Sequence, residues 1–202
     1  MVEFFENGGA FMWPILGVLV IGLAFVGERL YHLIRAMKTK FDFAVSVASE
    51  IDSKGFDVAR KTCEENVGPV ANLCYNALEV ADQGADASEK TIEQTAGIEL
   101  SALEKNMTWI SLCIATAPML GFLGTIAGMI VAFGQIAAAD NISPSIVAEG
   151  IGQALNTTAF GLVVAVILQF GQNIVMFIID NIVVTLQKST TVVLQSIAKK
   201  NK

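Results

Sequence analysis

Four threonines and two amides are the residues whose types and places in this sequence can do chemistry. Thr116, Thr125, Thr157 and Thr158, with Gln153 and Asn156, lie within or beside long apolar runs. A hydroxyl or amide in hydrocarbon is costly unless hydrogen-bonded. A single threonine satisfies itself on its own helix, bonding a carbonyl one turn back. A cluster at similar depth on two helices can instead hydrogen-bond or hydrate a mobile proton carrier. The same runs hold no Asp, Glu, Lys, Arg or His at mid-span; Glu149 and Asp180 stand at the two ends of the last run. A self-sufficient proton pump normally needs an intramembrane titratable group. A proton moved through these spans must therefore ride on a carboxylate supplied by another chain.

Other chemistries are excluded. The sequence has no phosphate loop, dinucleotide fingerprint or metal-ligand cluster, so neither an enzyme nor a cofactor is expected. His32 is the single histidine and cannot complete a metal site with Cys63, Cys74 and Cys113. The odd cysteine count argues against a disulfide framework, and all three read as reduced structural thiols. The net charge of −6 and the lack of a basic stripe exclude nucleic acid as a partner.

The elements that position these residues are set by where the charge falls. Hydrophobic residues make up 53% of the 202 and charged ones only 16%, well below the share usual for a soluble domain. All 13 Lys and Arg lie in 29–105 or 188–202, which leaves three uncharged runs. The first, Gly8 to Gly27, is long enough to cross a hydrocarbon core of about 30 Å. It is no signal peptide, because Glu3 and Glu6 stand where a basic n-region belongs. Arg29, Arg35, Lys38 and Lys40 follow it, and Lys188, Lys199, Lys200 and Lys202 follow the third run, Gly150 to Ile179. Basic flanks stay in the cytoplasm. The expected fold is therefore an all-α membrane protein with three transmembrane helices, N-terminus out and C-terminus in, and long helices extending into the cytoplasm. The expected divisions are an N-terminal span over 1–35, a cytoplasmic helical region over 36–106, two long spans over 107–183 with a short outer turn near 140–147, and a cytoplasmic tail over 184–202.

Within 36–106, breaks are expected at Gly55, at Gly68-Pro69 and near Gly84. Asp86-Ala87-Ser88-Glu89 fits a capping box. Ile92, Ala96, Leu100, Leu103 and Met107 then keep helical spacing, so that helix is expected to run straight into the second span. The second run, Met107 to Ala139, exceeds the bilayer core, and Pro118 is expected to kink it. Gly121, Gly124, Thr125, Gly128 and Ala132 recur at three- and four-residue intervals, as do Gly150, Ala154, Thr157, Thr158, Gly161 and Ala165. Small residues let membrane helices approach closely. These two stripes either pack together within one subunit or line a space for a helix of another protein.

The segment Thr116-Ala117-Pro118-Met119-Leu120-Gly121-Phe122-Leu123-Gly124-Thr125-Ile126-Ala127-Gly128-Met129 closely resembles the second-span signature of the MotA/TolQ/ExbB proton-channel family. Ala154 to Leu162 resembles that family's last-span signature, and Trp13-Pro14-Ile15 and Glu28-Arg29-Leu30 resemble its first span. Three spans resemble the ExbB/TolQ branch. The resemblance implies a homopentamer in the bacterial inner membrane, around a dimer of an ExbD-, TolR- or MotB-type single-span partner whose aspartate carries the proton. Thr125 and Thr158 match the threonines that face that aspartate. Gln153 stands where ExbB- and TolQ-type members have a glutamate, and an amide does not titrate. The residues admit proton or sodium as the ion; the resemblance favours the proton. It leaves open whether the motion serves outer-membrane uptake, envelope maintenance, gliding or flagellar rotation. The rival reading is a non-conducting membrane scaffold.

Overall fold

A computed structural model describes residues 8–37, 41–138 and 144–201. Every α-helix and the one 3-10 turn among them can be given in chain order: α1 Met12–Ala36, α2 Phe41–Lys54, α3 Phe56–Glu64, α4 Pro69–Glu79, the 3-10 turn Ala81–Gln83, α5 Ala85–Leu103, α6 Met107–Ala138 and α7 Pro144–Lys200. No strand occurs among the described residues. Three helices are long and apolar enough to cross a membrane, and the protein is an all-α membrane protein. The 32 residues of α6 rise about 48 Å and the 57 of α7 about 86 Å, so both outrun the bilayer core.

The chain divides into two compact units. The first holds residues up to Arg29 and Asn106–Ile174. Its core forms where α1, α6 and α7 meet, from Ile15, Cys113, Ala117, Val164 and Leu168, with Leu19, Leu120 and Phe160 packed against it. The small residues are spent on this meeting. A β-carbon at Gly22 would lie 2.6 Å from the Leu168 side chain, and one at Gly161 would lie 2.6 Å from the Ala117 carbonyl oxygen. One at Gly121 would lie 2.9 Å from the Thr157 carbonyl oxygen, and one at Gly128 would lie 3.0 Å from Ala154. The two stripes thus pack against each other within one chain. Pro118 lies inside α6, which continues through it, and its neighbour Ala117 is fully buried.

The second unit holds Leu30–Lys105 and Val175–Lys202. Its centre is α4, which buries Val70, Ala71, Leu73, Cys74, Ala77 and Leu78. The breaks fall where glycine permits them: Gly55, Gly68 and Gly84 have φ of 92°, 151° and 111°. Side chains tie the unit to main-chain carbonyls. An Arg60 Nη donates to Leu78 O at 2.9 Å, Ser88 Oγ to Ala77 O at 3.1 Å and Asn201 Nδ2 to Ala81 O at 2.9 Å. Lys199 pairs with Asp52 at 3.1 Å.

Three expectations need correction. Asp86 does not cap α5: Gly84 is the N-cap, and no side chain caps this end. The left-handed glycine lets the helix start at Ala85, which places Asp86 inside its first turn, and Ser88 turns its hydroxyl to Ala77 instead. Nor does α5 run straight into the second span. It ends at Leu103, and Asn106 adopts φ of 66° before α6 begins. Asparagine is among the few residues that tolerate that conformation. Finally, the turn expected near 140–147 ends sooner, because α7 already begins at Pro144, where proline's fixed φ suits a first helical position. Asp140, Asn141, Ile142 and Ser143 of that turn lie outside the described residues, as do Glu3, Glu6, Lys38, Lys40 and Lys202.

Candidate functional site

The hydroxyl cluster is built on the closest approach of α6 and α7. Because Gly121 has no side chain, α7 comes near enough for its threonines to reach the α6 backbone. Thr158 Oγ1 donates toward Gly121 O at 3.2 Å, and Thr157 Oγ1 is 3.4 Å from the same oxygen. Thr157 also donates to Ala154 O on its own helix at 2.7 Å. From the other side, Thr125 Oγ1 reaches Ala154 O at 3.0 Å and makes a hydroxyl–hydroxyl bond to Thr158 Oγ1. Thr125 Oγ1 also lies 3.3 Å from Gly121 O, so three of the four threonines converge on that one carbonyl. Thr157 is buried, whereas Thr125 and Thr158 are half-buried and keep one side open. That open edge is two hydroxyls that each accept as well as donate. It can hold a water or a protonated carboxyl, and it carries no charge of its own.

Thr116 is not part of this cluster. It lies nine residues before Thr125, about half a helical turn off the same face, and donates to Leu112 O at 2.7 Å on its own helix. Gln153 and Asn156 also point elsewhere. At about 100° per residue they lie roughly 140° and 160° around α7 from Thr158. Gln153 is brought instead to the N-terminal segment, where its amide nitrogen would collide with a β-carbon on Gly9. With Gly8, Phe11, Gly124, Ala127 and Val131 it lines a mostly apolar niche. Gly124 packs on the Thr157 side chain and on Phe11, so it joins the niche to the threonine cluster.

At the other end of this unit, Glu28 and Arg29 form a clamp. The Arg29 side chain is 5% exposed and donates through Nε to Glu28 Oε2 at 2.8 Å. Asn106 Nδ2 donates to the same carboxylate oxygen at 3.2 Å. Glu28 thereby fixes the left-handed asparagine whose carbonyl receives the first amides of α6, Trp109 N at 3.1 Å and Ile110 N at 3.4 Å. Glu28-Arg29 is visible in the sequence, but nothing in the sequence links it to Asn106. No group of three or more His, Cys, Asp or Glu is placed to hold a metal among the described residues.

Residues 64–188, more than half the chain and the whole of the threonine site, match the MotA/TolQ/ExbB proton channel family. The chain belongs to that family. It is 27% identical over 169 residues to a biopolymer transport ExbB homolog of Methanothermobacter thermautotrophicus, covering 83% of this chain and 60% of the relative. It is 26% identical over 166 residues to an ExbB biopolymer transport protein of Vibrio cholerae, covering 78% and 71%. A shorter stretch, 85 residues at 36% identity, is similar to the ExbB biopolymer transport protein of Xanthomonas campestris, over 42% of this chain and 34% of the relative. The chain thus spans about 60% of the length of the Methanothermobacter relative. Within this MotA/TolQ/ExbB chain, sequence reasoning passed over Ser111, Gln169, Gln172 and Asn173. The signal for the three amides is their three- and four-residue spacing within an otherwise apolar stretch of α7.

Proposed function

We propose that this chain is the channel-wall subunit of an ion-driven motor of the ExbB/TolQ type, in a bacterial inner membrane with its N-terminus outside and its C-terminus in the cytoplasm. Five copies surround two single-span helices of an ExbD-, TolR- or MotB-like partner, and the partner's aspartate carries the proton past Thr125 and Thr158. The observation that carries this reading is the convergence of Thr125, Thr157 and Thr158 on the Gly121 carbonyl, in spans without Asp, Glu, Lys, Arg or His at mid-depth. A hydroxyl can donate to an ionised carboxylate and accept from a protonated one, so the carrier can meet this edge in either state.

The energetics suit a stepping motor. A charged carboxylate at mid-membrane costs at least ~2.5–3.5 kcal/mol, so protonation decides which part of the wall the partner helix can face. One charge crossing 100 mV yields ~2.3 kcal/mol. That biases a small rotation, and repeated steps accumulate work. Two helices inside a ring of five cannot meet every subunit alike, so each protonation favours a turn to the next subunit. The work serves transport across, or upkeep of, the cell envelope.

The test is proton flux in proteoliposomes containing this protein with and without its co-purified partner. Flux is expected only with the partner, and it should vanish when the partner's carboxylate is removed. Flux by this chain alone would defeat the proposal. The packing of both glycine stripes within one chain also suits a second reading, a non-conducting scaffold. That reading predicts no flux in either preparation.

A further inference from the structure

The part of α7 that belongs to the first unit sorts into three arcs when each residue is placed at about 100° per step from Thr158. Thr157, Gly161, Val164 and Leu168 fall near −90° (roughly −60° to −120°) and are buried against α1 and α6. Val163, Ile167, Phe170 and Ile174 fall at about 120° to 180°; all are exposed and apolar, as a surface facing lipid or another copy should be. Between these arcs, at about −40° to 60°, lie Thr158, Gln169, Gln172 and Asn173, with the exposed Leu162 and the half-buried Ala165 on the same arc between Thr158 and the amides. The amides stand roughly 17 to 23 Å along the helix from Thr158, toward its basic C-terminal end.

Two hydrogen bonds organise these amides. Gln169 Nε2 donates to Asn173 Oδ1 at 3.3 Å, and Gln172 Nε2 crosses to Ser111 Oγ on α6 at 2.7 Å. Each amide has two donor hydrogens and two acceptor positions, so most of this capacity is still open. Gln169 and Asn173 are exposed. An amide group left unsatisfied in hydrocarbon costs several kcal/mol, and three amides with capacity still open occur here within five residues. They cannot face lipid tails. The arc they share is the one that already carries the open edge of Thr158.

We infer that Gln169, Gln172 and Asn173, with Ser111, form a second polar layer that holds water on the Thr158 face of α7. This layer lies between the threonine cluster and the cytoplasmic end of the span. Its role as a proton's exit rests on the motor reading above; its hydration does not. The layer shares its arc with Thr158, with Leu162 and Ala165 between them, and the Gln172–Ser111 bond anchors it to α6.

Hydration is tested by cysteine accessibility in the full-length complex, with Cys63, Cys74 and Cys113 first replaced by alanine. Gln169→Cys and Asn173→Cys should react with a charged, membrane-impermeant methanethiosulfonate in inside-out vesicles at least tenfold faster than Val163→Cys and Phe170→Cys. Equal, slow reaction at all four positions would overturn the water layer, as it would mean these amides are sealed against lipid or another copy. The second measurement is proton flux by the co-purified complex carrying Gln169→Leu and Asn173→Leu. A tenfold or greater fall at unchanged complex yield is expected, and unchanged flux would overturn the exit role. If the parent complex carries no protons, the motor reading fails, while the labelling result still decides whether the layer holds water.

Discussion

Gly161→Ala is the most direct probe of the geometry that assembles the threonine cluster. The new β-carbon would lie 2.6 Å from Ala117 O and 3.2 Å from the Gly121 α-carbon. Both are main-chain atoms of α6, so no side chain can swing aside. Ordinary contact begins at 3.4 Å, so α6 and α7 must separate by about 0.8 Å locally. That would stretch the Thr158–Gly121 bond from 3.2 Å to about 4 Å, beyond hydrogen-bond range. Overpacking costs about 1–3 kcal/mol, and the lost bond adds about 1 kcal/mol. Alanine's better helix propensity returns up to about 1 kcal/mol. The net loss is then about 1–3 kcal/mol. Gly152→Ala on the same helix is the control, since a β-carbon there meets nothing within 4 Å. It should be neutral or slightly stabilising. Thermal denaturation in mild detergent, read as loss of the monodisperse species, compares the two. Equal stability of both variants would refute the claim that backbone contact at Gly161 sets the helix spacing.

The other predictions probe the cluster, the clamp and the second unit. Thr158→Val keeps the side chain's shape but removes its bonds to Thr125 and Gly121 O; complex yield should hold while proton flux falls tenfold or more, and unchanged flux would remove the threonine from the pathway. Glu28→Ala takes a carboxylate from a nearly buried guanidinium and from Asn106. Because Glu28 is 38% exposed, the loss is expected at about 1–3 kcal/mol, below that of a fully buried pair, and a melting curve matching the parent would contradict the clamp. Cys63 and Cys74 are buried, and the Cys74 thiol is pushed up by its hydrogen bond with Cys63 and by burial. Both should resist iodoacetamide at pH 8 until the protein unfolds, as mass spectrometry of native and denatured samples would reveal. The Thr62 hydroxyl, with Lys54, holds the Glu50 carboxyl below its ordinary value of 4.5. A depressed carboxylate pKa adds stability above 4.5 that is lost as pH falls through the lowered value. Thr62→Val should therefore lower the melting temperature at pH 7 and converge with the parent in acid; a gap that widens on acidification would reverse the sign and refute it.

The three spans, the glycine breaks of the second unit and the resemblance in the second span were all legible in the residue string. Each rests on something local. An uncharged run of sufficient length can only sit in a hydrocarbon core, and a left-handed φ selects glycine. The capping box misled because Asp86-Ala87-Ser88-Glu89 fits a pattern that any helix start can use. Gly84, two residues earlier, offered the chain a start that needed no side chain. The break at Asn106 was illegible for another reason: what fixes it is a carboxylate 78 residues away in sequence.

Grouping the polar residues of the spans was the step that sequence alone could not finish. It marked Thr116, Thr125, Thr157, Thr158, Gln153 and Asn156 as polar groups at membrane depth, because composition gives depth. Which of them meet depends on rotation about each helix axis and on the contact between helices. Gly121 and Gly161 set that contact, since a β-carbon at either would meet main-chain atoms of the other helix at 2.9 and 2.6 Å. It gathers Thr125, Thr157 and Thr158, leaves Thr116 on its own helix and sends Gln153 to Gly9. The sequence thus determined that hydroxyls, and no titratable groups, are what these spans offer at mid-depth. Only the packing of α6 on α7 decided which hydroxyls form a site, because a hydrogen bond between helices is a matter of a few tenths of an ångström that no residue pattern encodes.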